Sequence, residues 1–124
     1  MANEGLTIEK RDDGVAVVIM DIPGESMNTL KADFIETFTS VFDQVENDAD
    51  IKAVVFTSGK KDSFIAGADI SMLEAITSAE EGAQAGRAGH AVMNRIEAFS
   101  KPVVAAIHGV ALGGGLETAL ACHA

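Results

Sequence analysis

The sequence lacks most of the residues that build disulfides, aromatic clusters and membrane spans. It has one cysteine, two prolines, six phenylalanines and neither tryptophan nor tyrosine among its 124 residues. The single cysteine, Cys122, excludes an internal disulfide and fits a reducing compartment, so we expect a cytoplasmic protein. No apolar run approaches the roughly 20 residues that span a bilayer. Residues 1–5 lack the basic start and apolar stretch of a signal peptide, so we expect no secretion either.

Basic residues are also scarce. Nine Lys and Arg face 19 Asp and Glu, which gives a formal net charge of −10. A chain of this charge repels nucleic acid and anionic lipid, so both are poor candidates for partners. An anionic small molecule is not excluded, because local backbone dipoles can outweigh the overall field. The hydrophobic content of 48% is sufficient for the core of one soluble domain.

Short β-rich runs predict four strands. Residues 6–10 alternate apolar and polar side chains, and residues 15–20 form a nearly continuous apolar run after a turn at Gly14, so the two predict a hairpin. Residues 51–57 and 103–107 predict two further strands.

Apolar stripes and capping residues predict the helices between these strands. Asn28 or Thr29 is expected to cap the first helix. Its apolar face is formed by Leu30, Phe34, Phe38, Val41, Phe42 and Val45. Ser78 and Glu81 have the capping-box spacing for a longer second helix, and a third follows from Leu116. Helices between strands predict an α/β architecture with parallel strands.

Two glycine-bearing segments are candidates for a functional site. The first, Ala66-Gly67-Ala68-Asp69-Ile70, follows a strand and a loop, and its small residues allow a ligand to approach the backbone closely. The alternative is a turn of small residues in which Asp69 caps a short helix.

The second segment is a strand followed by Gly113-Gly114-Gly115 and then a helix that carries Glu117 in its first turn. Free N–H groups at a helix N-terminus favour developing negative charge, which is what an oxyanion hole requires. The alternative is a tight turn followed by a glutamate that the helix dipole stabilises. The segment is neither a Walker motif nor a dinucleotide fingerprint.

Together the two segments resemble the signatures of the crotonase superfamily of enoyl-CoA hydratases and isomerases. The first runs from Phe64 to Ile70 and the second from Lys101 to Glu117, and the resemblance extends over essentially the whole chain. It implies an α/β crotonase-like spiral of ββα turns. Within the family the chain looks most like the N-terminal hydratase part of the alpha subunits of bacterial fatty acid oxidation complexes.

The resemblance also implies roles for individual residues. The backbone N–H groups of Ala68 and Gly114 would hold the thioester oxygen, and Glu117 would be one of two glutamates that transfer protons during syn addition of water to a trans-2-enoyl-CoA. The substrate-binding stretch would consist of Ala66, Gly67, Ala68, Asp69 and Ile70. Lys60 and Lys61 are candidates for contacts with CoA phosphates, with a solvated surface pair as the alternative.

The resemblance places the second glutamate after Ala124, so residues 1–124 are expected to be the N-terminal part of a truncated hydratase domain and inactive alone. The face of Leu116, Leu120 and Ala121 should then be exposed and the chain should self-associate.

Substrate, partners and cofactors follow from the same resemblance. They are an acyl- or enoyl-CoA substrate, a homo-oligomer and, in the complete complex, a thiolase beta subunit. No cofactor is expected in this chain, because NAD would belong to a possible dehydrogenase part further along. No metal is expected either, because His90 and His123 lack Cys or carboxylate partners at the spacing of metal ligands. A Δ3-Δ2 enoyl-CoA isomerase, another crotonase-type enzyme and a non-catalytic acyl-CoA binding module are the alternatives.

Overall fold

Short strands and longer helices alternate along the chain in the computed structural model, which describes residues 5–124. The strands are β1 (Leu6–Lys10), β2 (Val15–Met20), β3 (Ala53–Ser58), β4 (Ser63–Ile65), β5 (Val103–Ala106) and β6 (Val110–Ala111). The helices are α1 (Phe34–Asn47), α2 (Ile70–Glu74), α3 (Ala79–Glu97) and α4 (Gly114–Ala121). The expectation about a signal peptide concerns residues 1–5, of which residues 1–4 lie outside the described range.

The main sheet has the order β1-β2-β3-β5. β1 pairs with β2 antiparallel, as the predicted hairpin requires, and β2, β3 and β5 run parallel. Burial alternates along β2 and β3, so every second side chain of these strands faces the core. The predicted α/β architecture with parallel strands is therefore confirmed.

Helix α1 supplies the aromatic core that covers this sheet. Phe38 stacks on Phe42 with ring centroids 4.2 Å apart, and Phe42 meets Phe99 edge-on at 5.3 Å. Phe56 of β3 in turn meets Phe64 edge-on at 5.9 Å. Such offset and edge-to-face pairs stabilise a core beyond the burial of their area. Five of the six residues of the predicted apolar stripe lie on the buried face of α1.

The prediction that Asn28 or Thr29 caps this helix is wrong. Helix α1 begins at Phe34 after Asp33, whose side chain makes no capping hydrogen bond. The Asn28 side chain is instead fully buried and bonded to other segments, and Leu30 forms an isolated parallel bridge with Ala68. Residues 28–30 are thus extended backbone that leads the chain past the first glycine-bearing segment.

The predicted cap of helix α3 is confirmed. The Ser78 side chain accepts a hydrogen bond from the Glu81 N–H at 3.1 Å. The Glu81 carboxylate accepts from the Thr77 N–H at 2.9 Å, so the first turn is closed from both sides. Within the described part of the chain, no helix is both long and apolar enough to cross a membrane.

A second, two-stranded sheet was not predicted. β4 and β6 pair in parallel, with Ser63 opposite Val110 and Ile65 opposite Ala111. Both strands lie outside the four strand ranges that the sequence predicts. Because each of these strands leads directly into one of the glycine-bearing segments, this small sheet brings the two segments side by side.

Strand β5 and helix α4 carry exposed apolar side chains. Strand β5 is at the edge of the main sheet, and Leu116 and Leu120 of α4 are 48% and 75% exposed. The expectation that they face solvent is confirmed for these two residues, whereas Ala121 is buried. The edge of β5 is partly covered, since the His123 N–H donates to the Val103 carbonyl and the Ala105 N–H donates to the Ala124 carbonyl, both at 2.8 Å.

Candidate functional site

The first glycine-bearing segment is held in place by the extended residues before α1. The Ala66 N–H donates to the Asn28 carbonyl at 2.8 Å, the Leu30 N–H to Gly67 at 2.8 Å and the Asp69 N–H to Leu30 at 3.0 Å. Since neighbouring N–H groups of extended backbone point to opposite sides, the Ala68 N–H is directed away from the Leu30 backbone. Among residues 5–124, no backbone carbonyl accepts a hydrogen bond from it.

The second segment turns sharply from β6 into α4. Gly113 has φ 52°, a left-handed conformation that favours glycine. A Cβ on Gly115 would lie 2.1 Å from the Ile65 carbonyl oxygen, so the helix can approach β4 this closely only with glycine. The Gly114 N–H is the first of the helix, and no backbone carbonyl in the described range accepts from it.

Ala68, Gly114 and Glu117 border one cleft of about 690 Å³. Its walls come from the residues before α1, from the starts of α1 and α4, from α2 and from α3, and they are mainly apolar. Leu73, Ile76, Val92 and Met93 are among the side chains that line it. The two residues whose backbone amides have no carbonyl partner and the residue that carries the carboxylate therefore line the same, largely apolar cleft.

Glu117 lies in the first turn of α4 and is exposed at this cleft. Its own N–H donates to the Gly113 carbonyl at 3.0 Å, which closes the turn. The positive end of the helix dipole stabilises a carboxylate at this position. A second carboxylate, Glu81, also borders the cleft, but it accepts hydrogen bonds from Thr77.

Of the five residues expected to bind substrate, Ala68 alone borders this cleft. Gly67 has φ 116° and makes the turn that precedes Ala68. The Asp69 side chain accepts a hydrogen bond from the Ser71 hydroxyl at 2.8 Å and does not cap α2 through a backbone N–H. Ile70 is exposed, and Ala66 is tied to Asn28 through its backbone. Their binding role stays a prediction.

Lys60 has a different environment from the one expected. Its ammonium lies 2.6 Å from the Asp21 carboxylate and donates to the Ile22 carbonyl at 2.5 Å, and the side chain is mostly buried. This lysine holds the loop after β2, so it is neither a solvated surface residue nor available for a phosphate.

The thiol of Cys122 and the arrangement of potential metal ligands complete the chemical description of the site. Burial raises the pKa of the Cys122 thiol to about 11, so this cysteine is a weak nucleophile at neutral pH. Within residues 5–124, no group of three or more His, Cys, Asp and Glu side chains is arranged to hold a metal ion.

Asn28, beside the site, is buried between strands and is not the helix cap that its sequence position predicts. An asparagine shortly before an apolar stripe is also typical of a helix cap, so the local pattern gave no signal of a buried role. Only the long-range bonds of its side chain reveal this role.

Residues 10–124 match the family model described as enoyl-CoA hydratase/isomerase. The chain belongs to the enoyl-CoA hydratase/isomerase family. It is 53% identical over 116 residues to the fatty acid oxidation complex subunit alpha of Shewanella sp. (strain ANA-3), covering 94% of this chain and 16% of the relative. The corresponding subunit of Shewanella amazonensis is 54% identical over 117 residues, covering 94% and 17%.

Solved structures agree with this family assignment. An enoyl-CoA hydratase from Bacillus anthracis superposes with a TM-score of 0.87 at 27% identity, over 97% of this chain and 46% of that one. An enoyl-CoA hydratase/isomerase from Xanthobacter autotrophicus Py2 gives 0.86 at 26% identity, over 97% and 44%. The expected crotonase fold is confirmed. The family member described here spans about a sixth of the length of its curated relatives.

Proposed function

We propose that this chain carries the oxyanion-binding half of an enoyl-CoA hydratase site of fatty acid β-oxidation. The observation that supports the proposal is that Ala68, Gly114 and Glu117 line a single, largely apolar cleft, and that the first two have backbone N–H groups without a carbonyl partner in the described residues. The substrate class is a trans-2-enoyl-CoA, whose thioester would lie at the amides and whose acyl chain would lie along the apolar walls.

In this proposal the amides of Ala68 and Gly114 stabilise the charge that develops on the thioester oxygen. Addition of water to C3 moves electrons through the double bond onto this oxygen, so the transition state resembles an enolate. Fixed N–H donors stabilise such charge without reorganisation, and one donor contributes about 10²–10³-fold in rate. The N-terminus of helix α4 adds its dipole at the Gly114 donor.

Glu117 is proposed to act as an acid–base group. A carboxylate at this position can take a proton from the attacking water while the water oxygen forms its bond to C3, and a proton is then delivered to C2 on the same face. The family resemblance implies a second glutamate after Ala124 for the other half of this transfer. We therefore propose that residues 1–124 alone hydrate enoyl-CoA at least about a thousandfold more slowly than an intact relative.

The proposal for the whole protein is broader. The curated relatives are named as alpha subunits of a complex, so we propose a homo-oligomeric assembly with a thiolase beta subunit, in the cytoplasm. NAD would serve a dehydrogenase part outside this chain.

A Δ3-Δ2 enoyl-CoA isomerase is the second candidate. The observation that favours it is that Glu81 is bonded to Thr77, whereas the carboxylate of Glu117, also at the cleft, has no hydrogen-bond partner among the described residues. One acid–base group is sufficient to move a proton between C4 and C2. Conversion of a 3-enoyl-CoA to the conjugated isomer, with no hydration of the product, would favour this candidate.

The test is the hydration of crotonyl-CoA by this chain at micromolar concentration, followed as loss of the conjugated absorbance. We expect slow turnover by this chain and, in the full-length protein, a decrease of about 10²–10⁴-fold in Glu117→Gln, because the shape is kept and the base is lost.

Glu80→Gln is the matched control, since Glu80 is exposed in the first turn of α3 and outside the cleft lining. Turnover that survives Glu117→Gln would reduce Glu117 to a carboxylate that stabilises the helix. Binding of crotonyl-CoA without any turnover would favour a binding module.

A further inference from the structure

The Asn28 side chain connects three strands beside the site. It is 0% exposed. Its Oδ1 accepts from the Ile22 N–H at 3.0 Å, and its Nδ2 lies 2.8 Å from the Met20 carbonyl oxygen, 3.0 Å from the Ser58 hydroxyl and 3.0 Å from the Phe64 carbonyl oxygen. An amide is the side-chain group that can accept on one side and donate twice on the other. The ends of β2 and β3 and the middle of β4 are therefore tied to one buried point.

The same residue also holds the first glycine-bearing segment through its backbone. The Asn28 carbonyl accepts from Ala66 N–H, and two residues later the Leu30 backbone binds Gly67 and Asp69. The path from Phe64 to Asp69 is thus fixed at four residues. The Asn28 side chain binds Phe64, and the backbone of residues 28–30 binds Ala66, Gly67 and Asp69 in turn. Ala68 is the residue between the last two of these points.

We propose that Asn28 is a positioning residue that sets the direction of the Ala68 N–H at the cleft. This inference rests on the proposed function, in which that N–H binds the thioester oxygen. Hydrogen bonds weaken steeply when their angle is lost, and a displacement of about 1 Å can cost about 10²-fold in rate. Removing the Asn28 amide would free the middle of β4 and the loop after β2 at the same time, so the Ala68 N–H would lose its orientation.

Infrared spectroscopy of crotonyl-CoA labelled with ¹³C at its carbonyl tests the inference in this chain. Hydrogen bonds to a carbonyl oxygen lower its stretching frequency, so the unsubstituted protein should shift the band down on binding. Asn28→Leu has nearly the same size and no hydrogen-bonding group. We expect it to lose at least about half of the downshift and to hydrate about tenfold or more slowly at saturating substrate, with the affinity for CoA itself within about threefold.

Val45→Ala is the control for a general loss of stability, because Val45 is fully buried on α1 and outside the cleft lining. At an equal decrease in Tm, this variant should keep the full downshift. Ser58→Ala removes one partner of the Asn28 amide and is the milder variant. It should lose part of the downshift, and it decides the question if Asn28→Leu does not fold.

The outcomes separate this inference from the proposed function. No downshift in the unsubstituted protein would remove the oxyanion-binding role itself. If folded Asn28→Leu keeps the normal downshift, the positioning role is overturned and the proposed function stays intact. If Asn28→Leu does not fold, a normal downshift in Ser58→Ala leads to the same conclusion. An equal loss in Val45→Ala would also overturn it, because the effect would then follow stability alone.

Discussion

Helix α1 and helix α4 pack against their sheets in different ways. Helix α1 buries five large side chains on the main sheet. The buried residues of α4 are Gly115, Thr118 and Ala121, all small, whereas its two leucines face outward. One region of the molecule is thus closed around an aromatic core, and the other holds the candidate site with little apolar burial of its own.

The difference indicates how the candidate site is held. Gly114 and Glu117 are positioned mainly by the close approach of α4 to β4, not by large side chains. Backbone packed this closely fixes the direction of N–H groups well, but it tolerates little change in side-chain size. Stability should therefore depend on the closed region, and the geometry of the site should depend on glycine contacts.

The largest effect should come from the closed region. Phe42 packs against three other phenylalanines, so Phe42→Ala should lower the free energy of unfolding by about 3–5 kcal/mol. Leu120→Ala, on the outer face of α4, should change this free energy by less than about 0.5 kcal/mol, because the side chain is mostly exposed. Urea unfolding measures both. Similar losses for the two variants would mean that α4 packs as α1 does.

A smaller effect is expected at the glycine contact. Gly115→Ala places a Cβ against the Ile65 carbonyl, so it should destabilise by about 1–3 kcal/mol and displace α4. Gly86→Ala is the matched control, since a Cβ there meets nothing within 4 Å and should stabilise α3 by about 0.5–1 kcal/mol. Thermal unfolding distinguishes the two directions. A neutral Gly115→Ala would show that the approach of α4 to β4 is not tight.

The smallest effect concerns association. Exposed Leu116 and Leu120 should promote self-association at micromolar concentration, and changing both to Ser should weaken it about tenfold, which corresponds to about 1.4 kcal/mol. Met27→Ser, a similar change in a loop elsewhere, is the control. Sedimentation velocity measures the distribution of species. A clean monomer before any substitution would mean that the outer face of α4 does not drive association.

Sequence reasoning identified the parts of the fold whose patterns are long and local. The apolar stripe of α1 extends over several helical turns, and the cap of α3 joins Ser78 to Glu81, three residues later. Both patterns can therefore be predicted from the spacing of residues in the sequence. The two-residue strand β6 is too short to show any periodicity, so it was missed. Asn28 was misassigned because a buried asparagine and a helix cap look the same without their partners.

The site was predictable to a different extent. The family resemblance singled out Ala68, Gly114 and Glu117, and these three residues do border one cleft. Ala66, Gly67, Asp69 and Ile70 lie outside the lining of this cleft. The spacing of residues could not indicate their position, because it depends on which side of the segment faces the cleft. The chemical roles of all these residues stay predictions.

The pairing of β4 with β6 has a consequence for the order of folding. These strands are distant in sequence, and α2, α3 and β5 lie between them along the chain. Contacts of this kind close a long loop before they gain any free energy, so they form late. The hairpin of β1 and β2 can form early and locally. The two amides of the candidate site should therefore come together only in the last steps, after the rate-limiting barrier, and substitutions around them should accelerate unfolding more than they slow folding.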